Sequence, residues 1–393
     1  MPTYSQAKRP MRIDTTLGGD VVLLAALTGE EGISTPFLYT LDLLSEDASI
    51  DAKKLLRSPA TITLDLAGGS KRYIHGLIRR FVQLDRSETK LISYRAELVP
   101  WLWFLSLSSD CRIFQNHSVL DIVEQVFKAQ GFSDFQIKCT KSYPKREFCV
   151  QYRETHLNFV SRLLEEEGIF YFFDHSKDKH VLVLADANSA VKPCPEQASA
   201  RMAVQAGEWQ EQDVVTSFER EHAVHTGKVT LRDWDYLQPP LQLESSISGD
   251  GKAEAYDYPG NYTKPDEGDR YARLRLEEQE AWLQVSHGAG VLAISSRSRS
   301  ASSTNRSRFR LNRRMRGGSA EGPEKVLSVS AVPTKSPSSS GSSGGTSSWR
   351  TASDGRSSTI TATSPRRRRN SAGSDSPART TSASKTLYTC TIS

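Results

Sequence analysis

A break in charge and composition near residue 294 constrains this chain more than any other feature of its sequence. Residues 295–393 carry 15 Arg and 3 Lys against 4 acidic residues, a local charge of +14. The first 294 residues carry 33 basic and 42 acidic side chains, a charge of −9, and the overall +5 conceals the split. The basic stretch also holds 28 Ser, with only Phe309, Trp349 and Tyr388 as aromatics, and includes "SPSSSGSSGGTSSW" and "SPRRRRN". Such a composition cannot bury enough apolar surface to offset roughly 1–2 kcal/mol of backbone entropy per residue. Residues 294–393 are therefore expected to be a disordered, low-complexity basic tail. Any folded core has to come from residues 1–293.

Within that part, 1–11 is a polar segment and 12–110 reads as β-structure. "VVLLAALTGEEGISTPFLYTLDLLSED" gives two apolar runs around a Gly/Ser/Thr/Pro turn cluster, and "ATITLDLAG" alternates before Gly68-Gly69-Ser70. "RYIHGLIRRFVQLD" and "LISYRAELVPWLWFLSL" read as further strands, the last long and rich in aromatics. Short strands at this spacing suggest a packed or closed antiparallel barrel.

Residues 111–200 bring helices. Ser118 and Asp121 form a capping box before Val119, Ile122, Val123, Val126 and Phe127, which recur at helical spacing, and Gly131 is a natural stop. A second helix begins near Thr155, puts Leu157, Val160, Leu163 and Leu164 on one face, and ends at Gly168. "IFYFF" and "HVLVLAD" then read as paired strands around the polar turn "DHSKDK". Residues 201–293 return to β-pattern with "KVTLRDWDY". They also contain a charged helix in Glu267 to Val285, with Tyr271, Leu274 and Ala281 along one side. The fold class is thus mainly β with inserted helices (α+β).

The candidate chemistry is thin. Glu165, Glu166 and Glu167 are consecutive, and neighbours on a helix point about 100° apart, so they cannot converge on one bond. They are expected to form a solvated helix end, dispensable for folding. His222 and His225 have a spacing that suits a metal on a helix, but the surrounding residues read as strand, where i and i+3 face opposite ways. No P-loop, dinucleotide fingerprint or G-x-S-x-G elbow appears. Cys111, Cys139, Cys149, Cys194 and Cys390 form no CxxC pair and read as reduced thiols. No residue is assigned a catalytic, cofactor-binding or metal-ligating role, no cofactor is expected, and the chain is not expected to be an enzyme.

No run approaches the roughly 20 apolar residues of a membrane-spanning helix. The N-terminus "MPTYSQAKRPMRIDTT" lacks the apolar core of a signal peptide. The tail's arginines would bind polyanions through charge alone, with no specific nucleic-acid recognition, because interleaved aromatics are missing.

Four long segments, in order, closely resemble the VgrG spike proteins of type VI secretion systems. They are "LVPWLWFLSLSSDCRIFQNHSVLDIVEQVF", "SYPKREFCVQYRETHLNFVSRLLEEEGIFYFFDH", "LRDWDY" and "YDYPGNY" followed by "GDRYARLRLEEQEA". The resemblance covers about residues 12–290. It implies two β-barrel-like domains of phage baseplate hub type, assembled as a homotrimer that caps the Hcp tube ring and meets baseplate, effector or adaptor proteins. It also implies a cytoplasmic protein exported through the secretion machine without a signal peptide. Members of the family continue into an OB-fold domain and a β-helical needle, neither of which is visible after Ile294. A Ser/Arg-rich stretch without periodicity is what out-of-frame translation gives, so the chain is read as truncated or frameshifted there and its competence as a spike is put in question. Two other functions compete with the structural hub: a spike carrying an enzymatic effector domain, and a polyanion-binding protein acting through the tail.

Overall fold

The computed structural model of the chain describes residues 4–66, 69–86, 91–192, 201–202, 214–291, 308–316 and 326–332. All of them lie in the first of two units into which the chain divides, Met1–Ser336.

Six antiparallel strands build the N-terminal part: β1 (Met11–Thr15), β2 (Leu23–Gly32), β3 (Thr35–Ser45), β4 (Pro59–Asp65), β5 (Lys71–Arg86) and β6 (Ile92–Val99). Their order in the sheet is β1-β4-β5-β6-β3-β2. Strand β3 shows the alternation that a half-buried strand requires, with Phe37, Tyr39, Leu41 and Leu43 inward. The ladder leaves β1 and β2 without backbone pairing to each other, and one side chain spans them. Gln6 is buried, donates from Nε2 to Ile13 O (2.7 Å) and Val22 O (3.4 Å), and accepts from Ile13 N at Oε1 (3.1 Å). The polar segment 1–11 thus contributes a stitch between strands, which its composition does not reveal.

Strand β6 ends at Val99 because Pro100 lacks a donor for the ladder. The aromatic run read as more strand is instead a 3₁₀ helix, Trp101–Leu107, burying Trp101, Leu102, Phe104 and Leu105. The next elements are β7 (Ser109–His117), helix α1 (Val119–Ala129), β8 (Phe135–Ile137), β9 (Arg146–Thr155), helix α2 (His156–Glu166), β10 (Phe170–His175) and β11 (His180–Ala185). The Ser118–Asp121 capping box forms as expected, and α1 buries all five apolar positions named above. Thr155 caps α2 by accepting from Asn158 N. Gly131 and Gly168 stop the helices with φ of 80° and 69°, a backbone that side chains disfavour. Strands β10 and β11 pair as a hairpin, β11 also pairs in parallel with β8, and β7 pairs with β9 as a separate ribbon. One apolar core runs from the first sheet through α1 and α2 to this hairpin. Thr61 Oγ1 on β4 donates to Lys177 O (2.8 Å) in the hairpin's turn, so the hairpin covers that face of the sheet.

The remaining elements are β12 (Arg201–Met202), β13 (Val214–His222), β14 (Thr226–Asp233), β15 (Leu243–Ser248), β16 (Ala253–Asp257), helix α3 (Pro265–Glu280) and β17 (Gln284–Val291). Strands β15-β14-β16 and α3 enclose a second core of Val229, Leu231, Leu243, Tyr262, Ala272 and Leu276. Helix α3 buries Ala272 and Leu276 there, and of the side expected from Tyr271, Leu274 and Ala281 only Tyr271 packs, partly buried, against this core. Leu274 instead packs against Gly168 at the end of α2.

The stretch read as a tail lies outside the described residues except for two segments, β18 (Arg308–Arg316) and β19 (Val326–Val332). Both are strands where no element was expected, and β18 pairs with β2 while β19 pairs with β17. "RFRLN" and "VLSVSAV" do alternate locally, a signal submerged by the surrounding serine and arginine. The boundary at 200/201 adjoins residues outside the described set.

Candidate functional site

The three consecutive carboxylates do not share one environment. Glu165 is exposed, Glu166 half-buried and Glu167 only 1% exposed. Arg146, at the start of β9, donates Nη1 to Glu166 Oε2 (2.7 Å) and Nη2 to Glu167 Oε1 (2.8 Å). Arg270, on α3, donates to the other oxygen of Glu167. Arg162 on α2 holds Glu154 Oε1 (2.6 Å) and reaches Glu166 Oε1 (3.4 Å). The result is an alternating chain of charge, Glu154–Arg162–Glu166–Arg146–Glu167–Arg270, fastening α2 to β9 and α3.

The electrostatics agree with that geometry. Burial alone would lower the Arg146 pKa, but its bonds to Glu167 and Glu166 outweigh burial and raise it. Arg270 is raised against burial in the same way by Glu167. An acid at a helix C-terminus opposes the macrodipole, and here two guanidinium groups offset the penalty. This corrects the expectation of a solvated helix end: it holds for Glu165, which is exposed, and fails for Glu166 and Glu167. A carboxylate clasped on both oxygens by arginine is a fastening. Both of its oxygens are engaged, which leaves none free for attack.

The histidines gather differently from the expectation. His222 ends β13 and His225 lies in the following loop, where its Nδ1 approaches Thr226 O (2.6 Å). The three that do meet are His75 on β5, His175 on β10 and His180 on β11. The Nδ1 atoms of His75 and His180 are 2.9 Å apart, and His180 Nε2 accepts from Trp101 N (2.9 Å). His175 Nε2 sits 3.5 Å from buried Glu31, which Arg72 approaches at 3.6 Å. Burial first, then the charge of His175, pushes His75 down to about 4. Burial, then His175 and His75, pushes His180 down to about 2. For Glu31, burial works upward, but contact with His175 and Arg72 outweighs it and holds the carboxyl low. Three of the four ring nitrogens of the His75–His180 pair are taken up, the two Nδ1 atoms by each other and His180 Nε2 by Trp101 N. Among the described residues no group of three His, Cys, Asp or Glu side chains could hold a metal ion. The cluster ties the β10–β11 hairpin onto the first sheet, as the carboxylate clasp ties α2 to α3.

The thiols are equally quiet. Burial, then the charge of Asp186, pushes Cys139 up to about 11, and burial raises Cys149. Neither is activated as a nucleophile, since the thiolate is the reactive form. Cys194 and Cys390 lie outside the described residues. No helix among the described residues is long and apolar enough to cross a membrane.

Residues 30–294 match the family described as the phage tail baseplate hub (GPD). Three Pseudomonas aeruginosa proteins named as type VI secretion system spike proteins, VgrG1b, VgrG1a and VgrG1c, are 41%, 40% and 40% identical to this chain. Each alignment covers 70% of this chain but only 38%, 44% and 38% of those proteins, so the chain spans about two fifths of their length. Among solved structures, the E. coli c3393 protein is similar with a TM-score of 0.59 at 20% identity, over 82% of this chain and 77% of that one. It is described as a type VI secretion component structurally similar to the T4 tail proteins gp27 and gp5. A tail protein from Neisseria meningitidis MC58 is similar with a TM-score of 0.55 at 11% identity, over 84% and 97% of the two chains. At these identities the structural likeness is one of fold.

Proposed function

This chain belongs to the phage tail baseplate hub family, as a VgrG-type spike protein of the type VI secretion system, and we propose that it acts as a structural hub with no catalytic role. In this reading three copies assemble into a ring that caps the Hcp tube, contacts baseplate proteins and helps deliver effector or adaptor cargo into a target cell. The protein is made in the cytoplasm and leaves through the machine itself. The observation that carries the proposal is the family match over residues 30–294, which coincides with the β-sheet framework and both of its internal fastenings. A part that transmits a contractile stroke needs layers that do not slide. Buried ion pairs between elements supply directional restraint that apolar packing alone does not.

The test is assembly. The full chain mixed with Hcp rings should co-sediment with them and show threefold symmetry by electron microscopy. A chain that stays monomeric and ignores the rings at micromolar concentration would falsify the hub reading. Hydrolysis of glycan or peptide bonds by the purified chain would overturn the structural assignment.

A further inference from the structure

The β7–β9 ribbon has an inner face and an outer face of opposite use. Phe114, Cys149 and Gln151 turn inward, and Phe114 stacks on Phe159 of α2 at 5.6 Å. Ile113, Phe148, Val150 and Tyr152 turn outward, 46–67% exposed, with Ile113 directly opposite Val150 in the ladder. A contiguous apolar sheet face open to water is a mark of an interaction surface. Its surroundings are basic: residues 138–153 hold five Lys or Arg and one acid. Lys141, Lys145 and Arg153 are exposed there, and none makes an ion pair among the described residues.

A second patch lies at the tip of the β14–β16 sheet. Trp234, Tyr236, Leu237, Tyr256 and Tyr258 are 56–73% exposed. The two loops that carry them are held side by side, since Gly260 N donates to Arg232 O (2.9 Å) and Asn261 N to Asp233 Oδ2 (2.6 Å). This patch is acidic: residues 232–258 hold six Asp or Glu and two basic residues. Asp233, Asp235 and Asp257 flank the aromatic rings, and none makes an ion pair among the described residues.

Both patches are exposed, so neither covers the other within one chain. We infer that they meet between chains, the basic ribbon face of one copy seating the acidic aromatic tip of the next. Two different surfaces joined head to tail form a heterologous contact, which closes into a ring when the rotation per copy allows it. The inference rests on the hub reading and names the surfaces through which copies of this chain would join. The occupant is a second copy because the matching charge and the matching apolar face are both present on this same chain.

Charge reversal tests it in the full chain, read by sedimentation velocity. Lys145→Glu with Arg153→Glu makes the ribbon acidic, and Asp235→Lys with Asp257→Lys makes the tip basic; Asp233 is spared because it ties the second loop through Asn261 N, whereas Asp235 accepts only from Leu237 N within its own loop. Each pair of changes alone should weaken self-association by about tenfold or more, since like charges then face each other. One chain carrying all four changes should restore association, because every contact is then complementary again. Restoration also shows that the variants still fold. A native chain that stays monomeric, or assembly indifferent to either reversal, or failure of the four-change chain to recover, would each overturn the contact. If the native chain assembles on Hcp rings while ignoring the reversals, the hub reading stands and this interface alone is wrong.

Discussion

The carboxylate clasp and the histidine cluster perform the same task in opposite protonation chemistry. Both fasten a later element to an earlier one, and both rest on residues far apart in the chain. The clasp uses full charges, each carboxylate facing at least one guanidinium, with Glu167 buried between two. The cluster uses His75 and His180, kept neutral by burial, beside buried Glu31, which His175 and Arg72 approach. The clasp should therefore keep its strength wherever carboxylates are ionised. The cluster should keep its strength only where His75 and His180 are neutral.

The largest effect should come from breaking the clasp at its buried centre. Glu167→Gln removes the charge that two arginines share and leaves Arg146 and Arg270 facing a neutral amide. Losing one partner of a buried ion pair costs about 3–5 kcal/mol. Denaturant unfolding of the full chain at pH 7 should show that loss as a lowered midpoint. Glu165→Gln, changing the exposed neighbour, should move the midpoint little. Equal effects for the two changes would mean that burial does not set the strength of this site.

Acid should break the cluster next. Folding lowers the pKa values of His75 and His180, so the unfolded chain binds protons first. Their contribution is complete above about 6.5, and for His75 it is lost as pH falls toward about 4. For His75 that is on the order of 2 kcal/mol after allowance for solvent screening. In His75→Gln the slope of stability against pH between those limits should fall by nearly one proton. An unchanged slope would mean that His75 is not held neutral.

Much of this architecture was legible in the residues. The Ser118–Asp121 box, the stop at Gly131 and the alternation of "YTLDLL" are local signals, and local structure obeyed them. The 3₁₀ helix after Pro100 was missed because an aromatic run fits either a strand or a helix, and only the proline argues against the strand. Neither fastening could be read. Arg146 and Arg270 lie far from Glu167 in sequence, and His75 comes from a different sheet than His175 and His180. Nothing in "LLEEEGIFYFF" says which glutamate will be buried, because burial is decided by the approach of α3. The strands of 308–316 and 326–332 were hidden for a related reason. Their alternation is brief, and pairing with β2 and β17 supplies what their composition lacks.

A smaller effect is expected at the hinge of the clasp. Gly168 follows Glu167 with φ of 69°, and an added Cβ would come within 2.5 Å of Leu274 Cδ2. The leucine tip can move, so the left-handed backbone sets most of the cost, about 1–2 kcal/mol for Gly168→Ala. Thermal unfolding should show a loss smaller than that of Glu167→Gln. In the double variant the two losses should not add, because both loosen the same contact between α2 and α3.

The smallest effect isolates burial from distance. Lys128 Nζ lies 2.7 Å from Glu124 Oε1, as close as Arg146 Nη1 to Glu166 Oε2, but its side chain is 65% exposed against 20% for Arg146. Water screens the Lys128 pair and freezing two long side chains costs entropy, so exposed pairs at this helical spacing contribute only about 0.3–0.5 kcal/mol. Lys128→Ala should shift the unfolding midpoint by no more than that, and high salt should erase the shift. Arg146→Ala, at the same bond length, should cost several times as much and keep most of its effect in salt. If the two substitutions proved alike, contact distance would be enough to rank ion pairs in this protein, and the buried clasp would have no special claim as a fastening.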